Sequence, residues 1–358
     1  MPEKANTQHL LPARRRARLA PAAYIDGVLH GDRATLARAI TVIESDLESD
    51  GELSALILQG VLPKAGDSLR VGITGVPGAG KSTFIDVLGL HIVQDLDQKV
   101  AVLSVDPSSP VSGGSILGDK TRMERLSAED RAFIRPSPAR GHLGGVTRRT
   151  RETIVLCEAA GYHNILVETV GVGQSETAVR SMTDFFLLLM ISGAGDELQG
   201  IKRGILEMID AMAINKADGD NKLKAERARV EYATALHLFP PSLDGWIPQV
   251  VTCSALTGDG IATMWETVLR HRDQMQASGW FLRRRRQQAL DWMRDLISSG
   301  LEAEFYRHAG VRSRLPILED AVRASQATSY SAARELLALF RSRSQCPSGP
   351  GSGNEGKE

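Results

Sequence analysis

A phosphate-loop pattern between a predicted strand and a predicted helix constrains this chain more than any other feature. The run Gly75-Val-Pro-Gly-Ala-Gly-Lys-Ser82 fits the pattern G-x-x-x-x-G-K-S. An apolar segment from Arg70 leads into it, and an amphipathic segment from Phe84 to Val93 follows. Glycines at this spacing let backbone N–H groups approach a triphosphate where a Cβ would block them. The flanking elements favour this interpretation over a glycine-rich turn without a ligand.

The residues of this loop have distinct expected roles. Lys81 can reach the β- and γ-phosphates as a point charge, and the Ser82 hydroxyl is the expected Mg²⁺ ligand. The helix N-terminus that follows them favours an anion. The residues predicted to contact the nucleotide in this segment are Gly75, Pro77, Gly78, Ala79, Gly80, Lys81, Ser82 and Thr83.

Six further apolar runs alternate with helical patterns after the loop. They are Val100 to Asp106, Ala132 to Arg135, Asn164 to Glu168, Asp184 to Ile191, Ala211 to Asn215 and Pro248 to Cys253. Near-continuous apolar runs are typical of strands that are covered on both faces. The alternation predicts an α/β fold with a doubly wound, mostly parallel sheet, whose ligands bind at the carboxyl ends of the strands.

Helical patterns at both ends of the chain predict additions to this domain. Apolar residues recur at helical spacing from Ala22 to Leu62, with breaks at Gly31-Asp32 and Asp50-Gly51. Further helical patterns run from Ala289 to Leu301 and from Ile317 to Phe340. We therefore predict an N-terminal helical annex (21–66), a nucleotide-binding domain (67–278) and a C-terminal helical arm (279–342). The stripe on the arm can either pack on the parent domain or form a dimer contact.

The composition excludes several classes of protein. Forty-three basic and forty-three acidic residues give zero formal net charge, which argues against a general nucleic-acid binder. The run Arg283 to Arg286 is accordingly interpreted as a solvated helix start. Three cysteines without a C-x-x-C pair predict neither a disulfide framework nor a cysteine zinc site. No apolar run is long enough to cross a bilayer. We expect a cytoplasmic protein without a membrane or nucleic-acid partner.

Both termini differ in composition from the rest of the chain. Residues 1–20 carry an arginine cluster among alanine and proline, and they are predicted to form a disordered basic tail. An organelle-targeting segment is the alternative for this stretch. Residues 343–358 are rich in glycine and serine and are predicted to be disordered.

A second motif predicts which base is bound. Asn215-Lys-Ala-Asp218 closes a predicted strand, and the Asp218 carboxylate can accept hydrogen bonds from guanine N1–H and the 2-amino group. Adenine has no matching pair of donors, so the carboxylate would be left desolvated. Ser254-Ala-Leu256, after the next strand, resembles the S-A-x element that supports guanine in GTP-binding proteins. We predict a P-loop GTPase that binds GTP and GDP through Asn215, Lys216, Asp218, Ser254, Ala255 and Leu256.

Acidic residues near strand ends are the expected partners of Mg²⁺, which prefers oxygen ligands. Asp106 and Glu168 are best placed, although either can instead cap a helix. Asp119, in a glycine-rich loop, is a third candidate. Gly171 stands where small GTPases have D-x-x-G, and its N–H is expected to sense the γ-phosphate. No glutamine stands immediately after this glycine, which predicts slow unaided hydrolysis.

Six longer motifs extend these patterns. They are Gly72 to Thr83, Val105 to Ser109, Gly141 to Gly145, Val167 to Glu176, Gly195 to Lys202 and Asn215 to Asp218. Together they resemble the MeaB/ArgK family of P-loop GTPases, metallochaperones of adenosylcobalamin-dependent acyl-CoA mutases, chiefly methylmalonyl-CoA mutase. The resemblance implies a homodimeric, Mg²⁺-dependent GTPase that gates cofactor loading and helps remove inactivated cobalamin.

The resemblance also implies roles for particular residues. Ser82, Asp106 and Glu168 belong to the metal shell, and Asp119 is a further candidate ligand. Gly195 to Lys202 matches a switch that reorganises on binding the mutase, and Lys202 is the candidate charge delivered to the γ-phosphate. The predicted catalytic set is Lys81, Asp119, Glu168 and Lys202.

Two alternative functions stay open at this point. One is an ATPase or kinase linked to basic amino-acid transport, against which Asn215 to Asp218 argues. The other is a metal-insertion GTPase, a class that often carries a histidine-rich tract. The eight histidines here are scattered along the chain.

Overall fold

The computed structural model describes residues 18–45, 47–105, 123–136, 143–169, 175–193, 203–240 and 242–342. The chain divides into two compact units, residues 1–285 and 286–358. The first unit contains the N-terminal helices and the sheet, and the second contains most of the C-terminal helices. None of the helices in these described stretches combines the length and apolarity that spanning a bilayer requires.

Three helices precede the first strand: α1 (Pro21–Leu29), α2 (Arg33–Ile43) and α3 (Glu48–Val61). The Asp32 carboxylate caps α2 by accepting hydrogen bonds from the N–H groups of Ala34 and Thr35. The break predicted at Asp50-Gly51 is wrong, because α3 continues through both residues. An acidic residue in a first helical turn is favourable, and one glycine costs only about 1 kcal/mol in a helix.

Seven strands form one parallel sheet, which confirms the predicted α/β fold. They are β1 (Leu69–Gly75), β2 (Val100–Val105), β3 (Ala132–Arg135), β4 (Asn164–Thr169), β5 (Phe185–Ile191), β6 (Ala211–Asn215) and β7 (Gln249–Thr252). Their order is β3-β2-β4-β1-β5-β6-β7, so that β1 lies between β4 and β5. All six residues of β2 and of β4 are buried, as expected for strands covered on both faces.

Helices alternate with these strands along the chain. They are α4 (Lys81–Leu90), α5 (Glu124–Ser127), α6 (Leu143–Ala159), α7 (Ser175–Arg180), α8 (Arg203–Leu206), α9 (Lys222–Leu236) and α10 (Ile261–Ala277). α4 continues into a π-helical turn, His91–Asp95. Because all strands run in one direction, the chain segments that leave them gather at the carboxyl ends of the strands.

The C-terminal helices are α11 (Trp280–Arg307), α12 (Ala309–Arg323) and α13 (Ser329–Ser342). The helical pattern predicted from Ile317 to Phe340 is therefore interrupted, and Ser325 in the interruption has a left-handed φ of 56°. The second unit has a small core of its own, made by Val311, Leu318, Ala332 and Leu336.

Buried ion pairs lie at the amino ends of the strands in the first unit. Arg285 contacts Asp184, immediately before β5, through two nitrogens at 2.8 and 2.6 Å. Arg180 makes two contacts to Asp210, immediately before β6. Arg70 of β1 pairs with Glu158 of α6 at 2.7 Å. We call these six residues the amino-end cluster.

The run Arg283 to Arg286 is only in part the solvated helix start that was predicted, because Arg283 and Arg286 are exposed but Arg284 and Arg285 are not. The Arg285 side chain is only 12% exposed in its pair with Asp184. The Arg284 guanidinium donates to the Asp184 carbonyl at 3.0 Å and lies 3.9 Å from the Asp210 carboxylate. Acidic residues far away in sequence thus pair with the first turns of α11. Composition alone does not reveal such partners.

Candidate functional site

The phosphate-loop segment crosses from β1 to α4 with its glycines in tight surroundings. A Cβ on Gly75 would lie 2.3 Å from the Leu189 carbonyl oxygen of β5, so only glycine fits there. Gly80, the N-cap residue of α4, has a left-handed φ of 83° and offers no side chain to the first N–H groups of the helix. A Cβ on Gly80 would approach the Asn215 amide nitrogen to 2.9 Å. These constraints leave backbone donors for an anion at this helix start.

Lys81 begins α4 and turns its ammonium back toward this segment. Its Nζ donates to the Gly75 carbonyl at 2.9 Å and to the Val76 carbonyl at 3.4 Å. An ammonium group has three donors and is a strong partner for phosphate oxygens. The cation is thus already held against the loop that it is predicted to serve.

Ser82 and Glu168 form the second contact of the site. The Ser82 hydroxyl donates to Glu168 Oε1 at 2.9 Å. Glu168 is 3% exposed and lies on β4, where it pairs with Ile73 of the neighbouring β1. A hydroxyl and a buried carboxylate beside a phosphate loop form an oxygen donor set that fits Mg²⁺. Among the residues that the structure describes, no three acidic, histidine or cysteine side chains form a metal-binding group.

The Asn215 side chain joins the two predicted halves of the site. Its amide nitrogen donates to the Ala79 carbonyl at 2.8 Å, and its oxygen accepts from the Ala255 N–H at 3.0 Å. The residue is 1% exposed at the end of β6. Cys253 also contacts this amide, and burial raises the pKa of its thiol to about 12. The phosphate loop and the segments after β6 and β7 are thus fixed to one another.

Asp218 is oriented by the segment after β7. The Ser254 hydroxyl donates to Asp218 Oδ2 at 2.6 Å and accepts from the N–H groups of Leu256 and Thr257, each at 3.2 Å. Lys216 has a left-handed φ of 59°, which is uncommon for a residue with a Cβ. Leu256 is 83% exposed. A carboxylate held in this way retains acceptor capacity for the two donors on a guanine edge.

The structure thus brings together the described members of the predicted site. Pro77, Gly78 and Thr83 are exposed on the phosphate-loop segment, while Ala79 is buried beneath it. Asp106, Asp119, Gly171 and Lys202, predicted as metal ligands, γ-phosphate sensor or catalytic residues, lie outside the described residues. The functional roles of all these residues stay predictions.

Sequence reasoning did not single out two further polar contacts near the site. The Thr169 hydroxyl donates to the Thr74 hydroxyl at 2.9 Å between β4 and β1. Asn221 contacts both Lys216 and Ser192. An asparagine at a predicted helix start is ordinarily interpreted as an N-cap, so its sequence position gave no signal of these contacts.

Comparison with known proteins places this geometry among GTPases. The family described as "Methylmalonyl Co-A mutase-associated GTPase MeaB" matches residues 36–309. The GTPase ArgK of Escherichia coli is 51% identical over 264 residues, which are 74% of this chain and 80% of that protein. The mitochondrial methylmalonic aciduria type A homolog of Mus musculus is 46% identical over 327 residues, 88% of this chain and 79% of its own.

A solved structure is similar over nearly the whole chain. The crystal structure of a LAO/AO transport system kinase superposes with a TM-score of 0.71 at 36% sequence identity. The match covers 91% of this chain and all of the other. The fold described above is therefore shared with a structure that is also related in sequence.

Proposed function

This chain belongs to the MeaB family of methylmalonyl-CoA mutase-associated GTPases, and on that premise we propose that it is a GTP-hydrolysing chaperone of a cobalamin-dependent acyl-CoA mutase. In this role it gates adenosylcobalamin loading and protects or reactivates the mutase, most specifically methylmalonyl-CoA mutase. The observation that supports the nucleotide half of this proposal best is the Asn215 amide, which joins the phosphate-loop segment to the two predicted guanine-binding segments.

Recognition of GTP divides between two groups of residues. The backbone donors at the start of α4 and the Lys81 ammonium bind the phosphates and offset their charge. Asp218, oriented by Ser254, accepts from the guanine edge and leaves its carboxylate unpaired against adenine. The base is thereby selected at one end of the site while the triphosphate is held at the other.

Ser82 and Glu168 are the described residues that would hold Mg²⁺, together with Asp106 and Asp119 from outside the described residues. When bound, the ion would neutralise part of the negative charge of the phosphates. Glu168 Oε1 accepts the Ser82 hydroxyl at 2.9 Å, so the two oxygens lie side by side next to the loop. We propose Lys81, Asp119, Glu168 and Lys202 as the catalytic set, with Gly171 sensing the γ-phosphate.

Hydrolysis is proposed to be slow in the isolated protein and faster with the mutase bound. The residue immediately after Gly171 is Val172 and not a glutamine that could orient water. We propose that binding of the mutase delivers the Lys202 charge to the γ-phosphate. An added cation of this kind accelerates phosphoryl transfer by several orders of magnitude. The protein acts in the cytoplasm in this proposal, although the related mouse protein is named as mitochondrial.

The C-terminal arm is proposed to form a homodimer. In the second unit, α11 carries Leu290, Met293, Ile297 and Leu301 at spacings of three and four residues, and these side chains are 47–56% exposed. No residue of α11 is buried within the described chain. An apolar stripe with this period suits packing against a second helix. The proposed domain boundaries, including an arm over 279–342, belong to this same proposal.

The deciding experiment measures GTP hydrolysis with and without purified methylmalonyl-CoA mutase, in parallel with ATP. The proposal expects a low basal rate, clear stimulation by the mutase and little turnover of ATP. Lys202→Ala should keep the basal rate and lose the stimulation. Comparable affinity for ATP and GTP would instead favour the ATPase or kinase alternative, in keeping with the name of the similar transport system kinase.

A further inference from the structure

Asn221 occupies a helix start without serving that helix. It is the N-cap residue of α9, yet its side chain makes no capping hydrogen bond there. Asparagine is among the best N-cap residues because its side-chain oxygen can accept from the first turn. Here that oxygen accepts from the Ser192 hydroxyl at 2.7 Å, and the amide nitrogen donates to the Lys216 carbonyl at 2.7 Å. The side chain thus connects two other segments.

The contact to Lys216 fixes the segment that carries the predicted guanine reader. Lys216 has a left-handed φ of 59°, a conformation that costs a residue with a Cβ free energy. Two residues later Asp218 accepts the Asn221 N–H through its backbone carbonyl at 3.0 Å. Asn221 therefore closes residues 216–221 into one turn through its side chain and its backbone. The position of the Asp218 carboxylate depends on that turn.

The contact to Ser192 anchors the turn to the sheet. Ser192 directly follows β5, whose last residue, Ile191, pairs with Asn215 of β6. The Asn221 amide thus spans from the end of β5 to the segment that leaves β6. A turn that is held at both of these strands has less freedom to move when the base departs.

We propose that Asn221 is a positioning residue for guanine selection, acting through Lys216 and Asp218, with Ser192 as its anchor on β5. The inference rests on the proposed guanine site and adds a residue outside the N-K-x-D motif to it. If Asn221 served only to start α9, its replacement by aspartate would have little effect, because aspartate caps a helix as well as asparagine does.

Asn221→Asp separates the two roles. The new carboxylate still accepts from Ser192, but it places an acceptor against the Lys216 carbonyl where a donor stood. We expect the affinity for GDP to fall about tenfold, as for a lost hydrogen bond with an unsatisfied acceptor. Titration of the full-length protein with GDP and with inosine diphosphate, which lacks the 2-amino group, measures selection directly. The GDP preference over inosine diphosphate should fall about threefold or more.

Two further variants and a control complete the test. Ser192→Ala should lower the same preference by a smaller factor, and its effect should not add to that of Asn221→Ala, since both remove one connected contact. Lys224→Ala, an exposed residue on the same helix, should leave the preference unchanged. Thermal unfolding of each variant shows whether the fold is retained.

The outcomes distinguish this inference from the proposed function. If the wild-type protein binds ADP as tightly as GDP, the proposed guanine site is wrong. If the wild type selects guanine and folded Asn221→Asp keeps the full preference over inosine diphosphate, the inference about Asn221 is overturned. Equal weakening of GDP binding and inosine diphosphate binding in Asn221→Asp would also overturn the inference, because that result indicates a structural role alone.

Discussion

The two ends of the strands in this sheet use polar residues in opposite ways. At the amino ends, each acid of the amino-end cluster is matched with an arginine, and Asp184 and Arg285 satisfy one another through two contacts. At the carboxyl ends, Lys81 and Asn215 direct their polar atoms at backbone carbonyls and N–H groups of glycine-rich or exposed segments. The described contacts at the amino ends are thus mainly ion pairs, whereas those around the start of α4 are mainly hydrogen bonds to backbone groups.

This difference separates residues that support the fold from residues that can bind a ligand. Burial would raise the pKa of the Asp184 carboxyl, but the hydrogen bonds and charge of Arg285 outweigh it and bring that pKa below its ordinary value. A charge with such a partner is stable without a ligand. At the carboxyl ends, Lys81 donates to backbone carbonyl groups, and Asp218 accepts from the neutral Ser254 hydroxyl, which leaves the Asp218 charge able to attract a ligand. Four predictions, in decreasing order of expected effect, test this division.

Asp184→Ala should give the largest effect, on stability alone. It removes the carboxylate that pairs with the buried Arg285 guanidinium, which then keeps only the Gly66 and Ser68 carbonyls, and it removes the acceptor of the Arg70 N–H. The free energy of unfolding should fall by about 3–5 kcal/mol. Urea denaturation measures this change, with the exposed Asp291→Ala as control, for which less than about 1 kcal/mol is expected. A parallel loss of GDP affinity in the folded variant would show that the two ends are not independent.

Lys81→Ala should weaken nucleotide binding and leave the stability of the fold nearly unchanged. Removing the ammonium beside the phosphate loop should weaken GTP and ATP binding by about a hundredfold, as expected for a charge-assisted contact. The free energy of unfolding should stay within about 1 kcal/mol of wild type, because the carbonyls to which the lysine donates lie in its own loop. Calorimetric titration measures the affinity, and Lys64→Ala, an exposed lysine, is the control.

Asp218→Asn should change selectivity more than affinity for phosphate. The amide keeps the size of the carboxylate and one acceptor but loses the charge that attracts the guanine donors. The ratio of GTP to ATP affinity should fall about tenfold. Lys81→Ala, in contrast, should leave this ratio unchanged. An unaltered ratio in Asp218→Asn would refute the base-reading role of this residue.

Titration of His271, near the amino ends of the strands, should give the smallest effect, which is a pH dependence of the free energy of unfolding. It is 1% exposed, lies edge-on against Phe185 and Trp246, and burial lowers its pKa even though Asp210 opposes this. Below about pH 6.5 the unfolded chain binds a proton at this residue that the folded chain does not, so stability falls on acidification until the lower folded pKa is reached.

The measurement for His271 is the slope of unfolding free energy against pH between 7 and 5. Replacement by Gln removes this titration, so the slope should decrease by at most about 1.4 kcal/mol per pH unit. The comparison of slopes cancels the contribution of carboxylates common to both proteins. A slope that is equal in the two proteins would show that His271 titrates normally.

The sheet was predictable because its strands are short apolar runs covered on both faces. Ala132–Arg135 and Ala211–Asn215 have the bounds that the sequence predicts. The phosphate loop and the N-K-x-D motif could also be located, since their chemistry depends on neighbours within a few residues. Their convergence followed from the parallel strand direction, which brings the ends of β1 and β6 to one side of the sheet.

The amino-end cluster and the role of Arg284 and Arg285 could not be predicted. Their partners lie between 30 and 101 positions away in sequence, and a run of cations has the same composition whether it is solvated or paired. The left-handed conformation of Lys216 and the contacts of Asn221 could not be predicted for the same reason, because tertiary packing fixes them against local propensity. Local sequence patterns thus locate the helices, strands and motifs, whereas long-range ion pairs can be identified only once the fold is known.

The Asn215 amide has a consequence for how a nucleotide would enter and leave. Because it connects the Ala79 carbonyl with the Ala255 N–H, the segments on either side are aligned before any ligand arrives. Association then requires little loss of chain entropy, and departure of the nucleotide does not separate these segments. Within the described residues, the phosphate loop and the segments after β6 and β7 therefore need no rearrangement between one nucleotide and the next.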